Sequence, residues 1–402
     1  MNANVNHPDW HPGRPTRFGL FISPIHSPRE NANLALHRDT ELIKHLDWLG
    51  FDEAWIGEHH STGWEFISSP EVFIGHVAAQ TTRIRLGTGV VSLPYHHPYH
   101  VAQRIVLLDH LTRGRVMLGL GPGALAEDAL QLGIDPMDTR ARLEVGLGAI
   151  MALLAGERIS RETDWFTLKD AKLQLLPYSP DLEVAVTATF SPTGARLAGK
   201  HGCSLLSLTA TQEKSTSLLS DHWRVATEHS HEFGQSVNRK NWRLVGPMHL
   251  AESEDEARRD VSYGLGNWAH YMTKIASLPV IPEGLTSTED MARALTDTGY
   301  AVIGTPDQAI KQIERLAQSS GGFGTFLLWA HDWASREATS RSYELFARHV
   351  MPVFNRYNAS LIESEAHSKA SAAQLISQSA AARQKATTDY AAAQTRPLKK
   401  SG

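Results

Sequence analysis

Eight short runs of apolar and β-branched residues alternate along this chain with longer amphipathic stretches, and that alternation constrains the fold more than any other feature. The strand-like runs are Arg17 to Phe21, Glu53 to Gly57, Ile84 to Val90, Val116 to Leu120, Val184 to Ala188, Ser204 to Leu208, Arg243 to Leu250 and Thr325 to Trp329. Helical stretches fall between them: His37 to Leu49, Pro70 to Gln80, Tyr99 to Arg113, Asp138 to Ala155, Pro192 to His201, Thr211 to Phe233, Ser253 to Trp268 and Pro306 to Gln318. In the first of these, Leu42, Leu46 and Leu49 share one face and Gly50 supplies the stop. A strand followed by a helix cannot pair with the next strand as a tight hairpin, so repeated units of this kind build a parallel sheet. Eight units predict closure into an α/β (β/α)8 TIM barrel, with an open doubly wound sheet as the alternative.

Two segments interrupt the rhythm. Between Gly156 and Asp181 a hairpin is expected around Trp165 to Leu176. From Asn267 to Tyr300 the pattern weakens around Pro279, Pro282 and Gly284, which predicts an insertion over the C-terminal mouth, a lid candidate. The barrel is expected over 17–350, after an N-terminal extension, 1–16, and before a tail, 351–402. From Glu365 on, Ala, Gln, Ser and Lys dominate, and the apolar face is mostly alanine, so the tail reads as a weakly packed arm or a disordered one.

Composition excludes several classes. The formal net charge is -4 and no basic run stands out apart from Lys399-Lys400, so nothing argues for a nucleic-acid footprint. No apolar stretch is long enough to span a bilayer. Met1 to Thr16 lacks the apolar core of a secretion signal, and Cys203, the single cysteine, permits no intrachain disulfide, so a cytoplasmic address is expected.

Barrel enzymes build their sites from the loops that follow the strands. Here those loops collect histidines, aromatics and glycines: Ser23, Pro24 and His26; Glu58-His59-His60; Tyr95-His96-His97-Pro98; Gly121-Pro122-Gly123; and Ser191-Pro192-Thr193-Gly194. The last lies between a strand and a helix, where unpaired N–H groups suit a phosphate, although an ordinary helix cap would look the same. His59 titrates near neutrality and suits acid or base work, or else forms a polar rim beside Glu58. Glu58, His59, His60, His96, His97 and His100 also offer metal ligands, but adjacent His59 and His60 should point to opposite faces. Gly119-Leu120-Gly121 lacks the third glycine of a dinucleotide fingerprint.

The run Phe51-Asp52-Glu53-Ala54-Trp55-Ile56-Gly57-Glu58-His59-His60 resembles the second strand of the bacterial luciferase-like monooxygenases. Leu86-Gly87-Thr88-Gly89-Val90-Val91-Ser92-Leu93-Pro94 is similar to their third, and His97-Pro98 and Leu107-Leu108-Asp109-His110-Leu111-Thr112-Arg113-Gly114-Arg115 continue the same order. The likeness covers about Arg17 to Val350 and is nearest to limonene monooxygenase-type members. It implies reduced FMN supplied by a separate flavin reductase, a flavin peroxide, and oxygenation of a small apolar substrate such as a terpene, cyclic ketone or aldehyde. It implies His59 as the acid/base residue. Glu58, Gly89, Val90, Gly121, Arg140, Ser191, Thr193 and Gly194 would bind the cofactor, with Gly89–Val90 a cis peptide and Arg140 at the phosphate. It also implies a homodimer through the second and third helices.

Trp64, Phe66, Tyr95 and Trp329 are the aromatic residues expected around the substrate, although each would serve equally as core. Where luciferase carries Cys-Arg this chain has Gly121-Pro122, which counts against light emission and long-chain aldehyde use. Three other readings compete: a deazaflavin-dependent oxidoreductase on the same barrel, a non-catalytic flavin-storage protein, and a metallohydrolase.

Overall fold

All eight expected strands form, and they close. β1 (Arg17–Ile22), β2 (Glu53–Ile56), β3 (Arg85–Thr88), β4 (Val116–Gly121), β5 (Val184–Ala188), β6 (Ser204–Ser207), β7 (Arg243–Gly246) and β8 (Thr325–Trp329) pair in parallel in chain order. β8 returns to β1 in a register from Arg17 opposite Thr325 to Phe21 opposite Trp329, which excludes the open sheet. The computed structural model describes residues 15–278 and 280–394, with the backbone alone over 213–217. Most of the expected N-terminal extension, 1–14, and the end of the tail, 395–402, lie outside the described residues.

Two-residue periodicity builds the barrel wall. Along β4, Leu118 and Leu120 face the helices, while Met117 faces the interior with Phe21, Trp55, Ala185, Leu206, Val245 and Leu327. Around the wall run α1 (Ala32–Leu49), α2 (Pro70–Ala78), α3 (Pro98–Thr112), α4 (Ala126–Gln131), α5 (Thr139–Leu154), α6 (Thr193–His201), α7 (Glu213–Glu232), α8 (Glu254–Val261), α9 (Leu265–His270), α10 (Thr288–Asp297), α11 (Pro306–Ser320), α12 (Arg336–Leu345) and α13 (Met351–Asn355). Among the described residues, no helix is long and apolar enough to cross a membrane.

Local chemistry moves several boundaries away from the periodic pattern. α1 starts earlier than His37 because Asn31 Oδ1 caps it, accepting from the N–H groups of Asn33 and Leu34 at 3.0 and 3.3 Å. The expected strand Arg243 to Leu250 breaks at Pro247, which has no N–H to give to the barrel ladder. Met248–Leu250 pairs instead with Val302–Gly304, a strand the periodicity did not reveal. The expected helix Ser253 to Trp268 splits into α8 and α9, with Gly264 N–H donating to Trp333 O at 2.8 Å. The hairpin forms earlier than expected, Ile159–Glu162 against Thr167–Ala171, because Thr163 Oγ1 accepts from Trp165 and Phe166 and sets the turn there.

The chain divides into two units, at Asn355 and Arg356. The second contains α14 (Ala359–Ala370) and α15 (Ala372–Gln394), helices with no buried residue.

The N-terminal end of the barrel is plugged by charge. Arg243 is fully buried and grips Glu53 bidentately, Nε to Oε2 at 2.7 Å and Nη2 to Oε1 at 2.9 Å. Its Nη1 donates to Glu183 at 2.5 Å, and Arg17 and Arg85 close the cluster from the rim, 3.3 Å from Glu53 and 3.1 Å from Glu183. Each of these residues begins or directly precedes a strand, so parallel pairing alone gathers them at one level. Burial would raise both carboxylates, but the guanidiniums outweigh it: Glu53 lies below the usual range and Glu183 is held down to about 2.

Candidate active site

Parallel strands bring all eight C-terminal ends to the opposite face. There β2 runs out into Glu58, His59 and His60, and the side chains alternate in direction as the pleat requires. His59 turns toward two carboxylates. Its Nδ1 lies 3.0 Å from Asp128 Oδ2, and its Nε2 lies 3.2 Å from Glu65 Oε2. Asp128 sits on α4 and also accepts from the backbone N–H of His60 at 3.0 Å and the hydroxyl of Ser61 at 2.5 Å. Burial alone would lower the pKa of His59, yet the charges of Glu65 and Asp128 prevail and hold it above the usual imidazole range. The two carboxylates thus favour the protonated form of His59, which suits it to give a proton more than to take one.

Glu58 and His60 face the other way. Glu58 Oε1 accepts from His60 Nε2 at 2.9 Å and from His96 Nε2 at 2.8 Å, while Oε2 accepts from Ser92 N–H at 3.2 Å. Burial would raise Glu58, but the two imidazoles lower it. This group ties the loop after β2 to the loop after β3. Of the six residues weighed as metal ligands, these three bring donor atoms within 4.8 Å of one another, and each already pairs with another. His97 is elsewhere engaged, accepting from Tyr99 N–H at the start of α3, and His59 belongs to the Asp128–Glu65 pair.

The flavin-binding residues implied by the resemblance lie along this same face. The Gly89–Val90 peptide bond is cis. Val90 joins the interior cluster under the mouth, together with Leu208 and Trp329. A Cβ on Gly121 would stand 2.6 Å from Val90 Cγ2, so that strand end stays bare and leaves a flat floor. The N-terminus of α6 has no side-chain cap, and the hydroxyls of Ser191 and Thr193 are not hydrogen-bonded to a described residue. A Cβ on Gly194 would lie 1.8 Å from Thr187 O, so the first turn of α6 packs directly on the end of β5. The cations of α6 itself, Arg196 and Lys200, are taken by Glu144 at 2.5–3.1 Å. Arg140, the second residue of α5, is exposed and pairs with no described residue. An uncapped helix start, free hydroxyls and a free guanidinium fit a phosphate, and the apolar floor fits an aromatic ring system.

The four aromatic residues expected around the substrate do not share one wall. Phe66 lines a cleft of about 440 Å³ beside His59 and Glu65. Trp64 lines a larger one of about 870 Å³, where β1 and β8 end, with Ser23, His26, Trp268 and His331. Tyr95 packs edge-on against His60, with ring centroids 5.9 Å apart. Trp329 stands at the top of the barrel interior, 6.3 Å from Trp268, and its Nε1 is buried with no partner among the described residues. In the larger cleft, His26 bridges Asp39 at 2.9 Å and Asp332 at 2.7 Å, and these carboxylates overcome its burial and push it up to about 10.

The insertion Asn267 to Tyr300 is a packed element, with Trp268, Tyr271, Met272, Ile281, Ala292, Leu295 and Tyr300 buried against Ile25, Trp64 and Trp333. All three of those partners follow barrel strands, so the insertion does sit at the C-terminal ends. Asp128, Glu65 and Tyr271 were not singled out in the sequence. Asp128 and Glu65 flank His59, and Tyr271 holds Glu65, from segments far from it or out of phase with it, and no spacing signals that.

The sequence profile of the luciferase-like monooxygenases matches residues 16–322. The chain is 50% identical over 339 residues to limonene 1,2-monooxygenase of Rhodococcus erythropolis, covering 84% of this chain and 86% of that protein. It is 45% identical over 344 residues to 4-hydroxyprotoasukamycin monooxygenase of Streptomyces nodosus subsp. asukaensis, covering 84% and 92%. Among solved structures it is similar to the oxygenating constituent of 3,6-diketocamphane monooxygenase from Pseudomonas putida, a type II Baeyer-Villiger monooxygenase in complex with FMN. That match has a TM-score of 0.70 at 25% identity and covers 85% of this chain and 98% of that one.

Proposed function

This chain belongs to the luciferase-like monooxygenase family and is a flavin-dependent monooxygenase, and from that premise we propose that it binds reduced FMN at the C-terminal mouth and oxygenates a small apolar molecule. The observation that carries the FMN reading is the uncapped start of α6, with Ser191, Thr193 and Gly194, beside a bare floor at Gly121 and Val90. Reduced FMN, when bound, supplies the electrons that activate dioxygen. The N–H groups of the first turn of α6 and the hydroxyls of Ser191 and Thr193 would hold the phosphate, and Arg140 would add a cation. Glu58 ties the loops after β2 and β3 together and would keep the mouth in one shape for the ring, with Gly89. His59, whose protonated form Glu65 and Asp128 favour, would hold the proton for the reaction at Nε2, where it faces Glu65. Phe66, which lines the cleft beside His59 and Glu65, would exclude water there and offer apolar surface to a terpene, cyclic ketone or aldehyde.

A separate flavin reductase supplies the reduced cofactor. The 3,6-diketocamphane relative is itself described as an oxygenating constituent, which supports that division of labour. Val72 on α2 and Leu107 and Leu111 on α3 are 70%, 53% and 70% exposed, an apolar face suited to a homodimer. The test is turnover of photoreduced FMN under isotopically labelled dioxygen with a terpene and a cyclic ketone. Labelled product supports the proposal. Tight binding of reduced FMN without labelled product refutes oxygenation and leaves a storage role.

A further inference from the structure

Glu65 faces two different clients, one through a hydrogen bond at Oε1 and one through an ion pair at Oε2 that lacks hydrogen-bond geometry. Oε2 lies 3.2 Å from His59 Nε2, and Oε1 accepts the hydroxyl of Tyr271. Glu65 is 5% exposed and Tyr271 1% exposed, so water replaces neither contact. Tyr271 opens the short π turn Tyr271–Ile275 that ends α9, and therefore belongs to the insertion rather than to the barrel. Its ring packs on Trp64, with centroids 5.5 Å apart. On the far side of the imidazole, Asp128 on α4 holds Nδ1. A continuous chain, Asp128–His59–Glu65–Tyr271, thus joins three segments that are distant in sequence.

The physical consequence follows from the shape of a carboxylate. Its two oxygens are rigidly linked, so a hydrogen bond to one sets the plane in which the other meets its partner. A buried carboxylate that loses a donor must turn toward whatever donors remain. If the Tyr271 hydroxyl leaves Oε1, Glu65 is free to rotate onto His59, and the imidazole shifts between Glu65 and Asp128. We propose that Glu65 is a positioning residue that couples the seating of the insertion segment 265–276, through Tyr271, to the orientation of His59. This inference rests on the proposed role of His59 at the flavin. It adds that the protonated imidazole is aligned only when the insertion is seated. A purely structural Tyr–Glu contact would anchor the insertion and leave His59 indifferent to it.

The test uses the full chain without flavin and two conservative variants, Tyr271→Phe and Glu65→Gln. Two readouts are followed at one pH: the ring-nitrogen shifts of His59 in histidine-labelled protein, and backbone hydrogen exchange over 265–276. In Tyr271→Phe both should change, with exchange faster by roughly tenfold, the size expected for one lost hydrogen bond to a charged group. In Glu65→Gln the amide oxygen can still accept from Tyr271, so the His59 signals should move while exchange stays slow. Faster exchange in Tyr271→Phe with unmoved His59 signals reduces the contact to an anchor and overturns the proposal, as does a variant in which neither readout changes. Neither readout involves oxygen, so a wild type that fails to oxygenate would refute the functional reading while leaving this coupling to be judged on its own result.

Discussion

At the N-terminal end of the barrel, the buried carboxylate Glu53 and the part-buried carboxylate Glu183 meet three guanidiniums, Arg17, Arg85 and Arg243, and every charge has a permanent partner. At the C-terminal mouth the carboxylates Glu58, Glu65 and Asp128 meet imidazoles instead. The backbone geometry of the two ends is the same set of parallel strands. The difference lies in the cation: guanidinium does not release its proton in a protein, whereas imidazole titrates within the biological range. One end is built to stay fixed and, on the role proposed for His59, the other to move a proton. A strand therefore carries structure at its start and chemistry at its end.

Four experiments break or sharpen that contrast. His59→Asn should lower oxygenation by roughly 10²–10⁴-fold, the usual contribution of a positioned proton donor, with the melting temperature changed far less than the rate. Wild-type turnover by this variant would remove the proton-moving role from the mouth. Arg243→Met should cost about 3–5 kcal/mol in chemical denaturation, because it strands Glu53 and Glu183 without their shared partner. A cost below about 1 kcal/mol would mean that the plug is no firmer than a surface pair.

A smaller effect is expected from Ser191→Ala, which should weaken FMN binding by roughly tenfold in a fluorescence titration, the loss of one charge-assisted hydrogen bond, without altering stability. Unchanged affinity would move the phosphate away from α6. The smallest effects concern pH, and the two ends carry opposite signs. Glu183 is depressed to about 2 from 4.5, so its contribution is present above 4.5 and lost as pH falls toward 2. His26, between Asp39 and Asp332 and beside Arg38, is raised from 6.5 to about 10, so its contribution is complete below 6.5 and fades as pH rises through about 10. Acid should loosen the amides of Glu53 and Arg243 first in hydrogen exchange, and alkali those of Ser23–His26 and Asp332. The same order at both extremes would erase the distinction.

The sequence made the mouth far more legible than the plug. Strand alternation placed all eight barrel strands, and the rule that sites follow strands drew the eye to His59, Gly121 and Ser191. It failed where one residue overrides a period: Asn31 extending α1, Pro247 ending β7, Gly264 dividing a helix. Glu53 and Arg243 gave no signal, because a charged residue that opens a strand looks like any solvated strand start until closure buries it. Asp128 and Tyr271 were silent for a related reason. Their meaning comes only from contact with the loop after β2, and contact between remote segments leaves no local spacing. The four aromatic residues were found as aromatics, but their separation, with Phe66 and Trp64 in different clefts and Tyr95 and Trp329 in neither, is a property of the folded loops.

The pairing of β1 with β8 also has a consequence for how the chain is made. During synthesis Phe18 to Phe21 leaves the ribosome some three hundred residues before Phe326 and Leu328, which complete its ladder. For that interval β1 has an open edge of unpaired backbone groups, and its inward-facing Phe21 has no barrel to enter. A nascent chain halted after β7 therefore carries an adhesive strand near its start, and its burden on chaperones is set by the last strand translated rather than by the first.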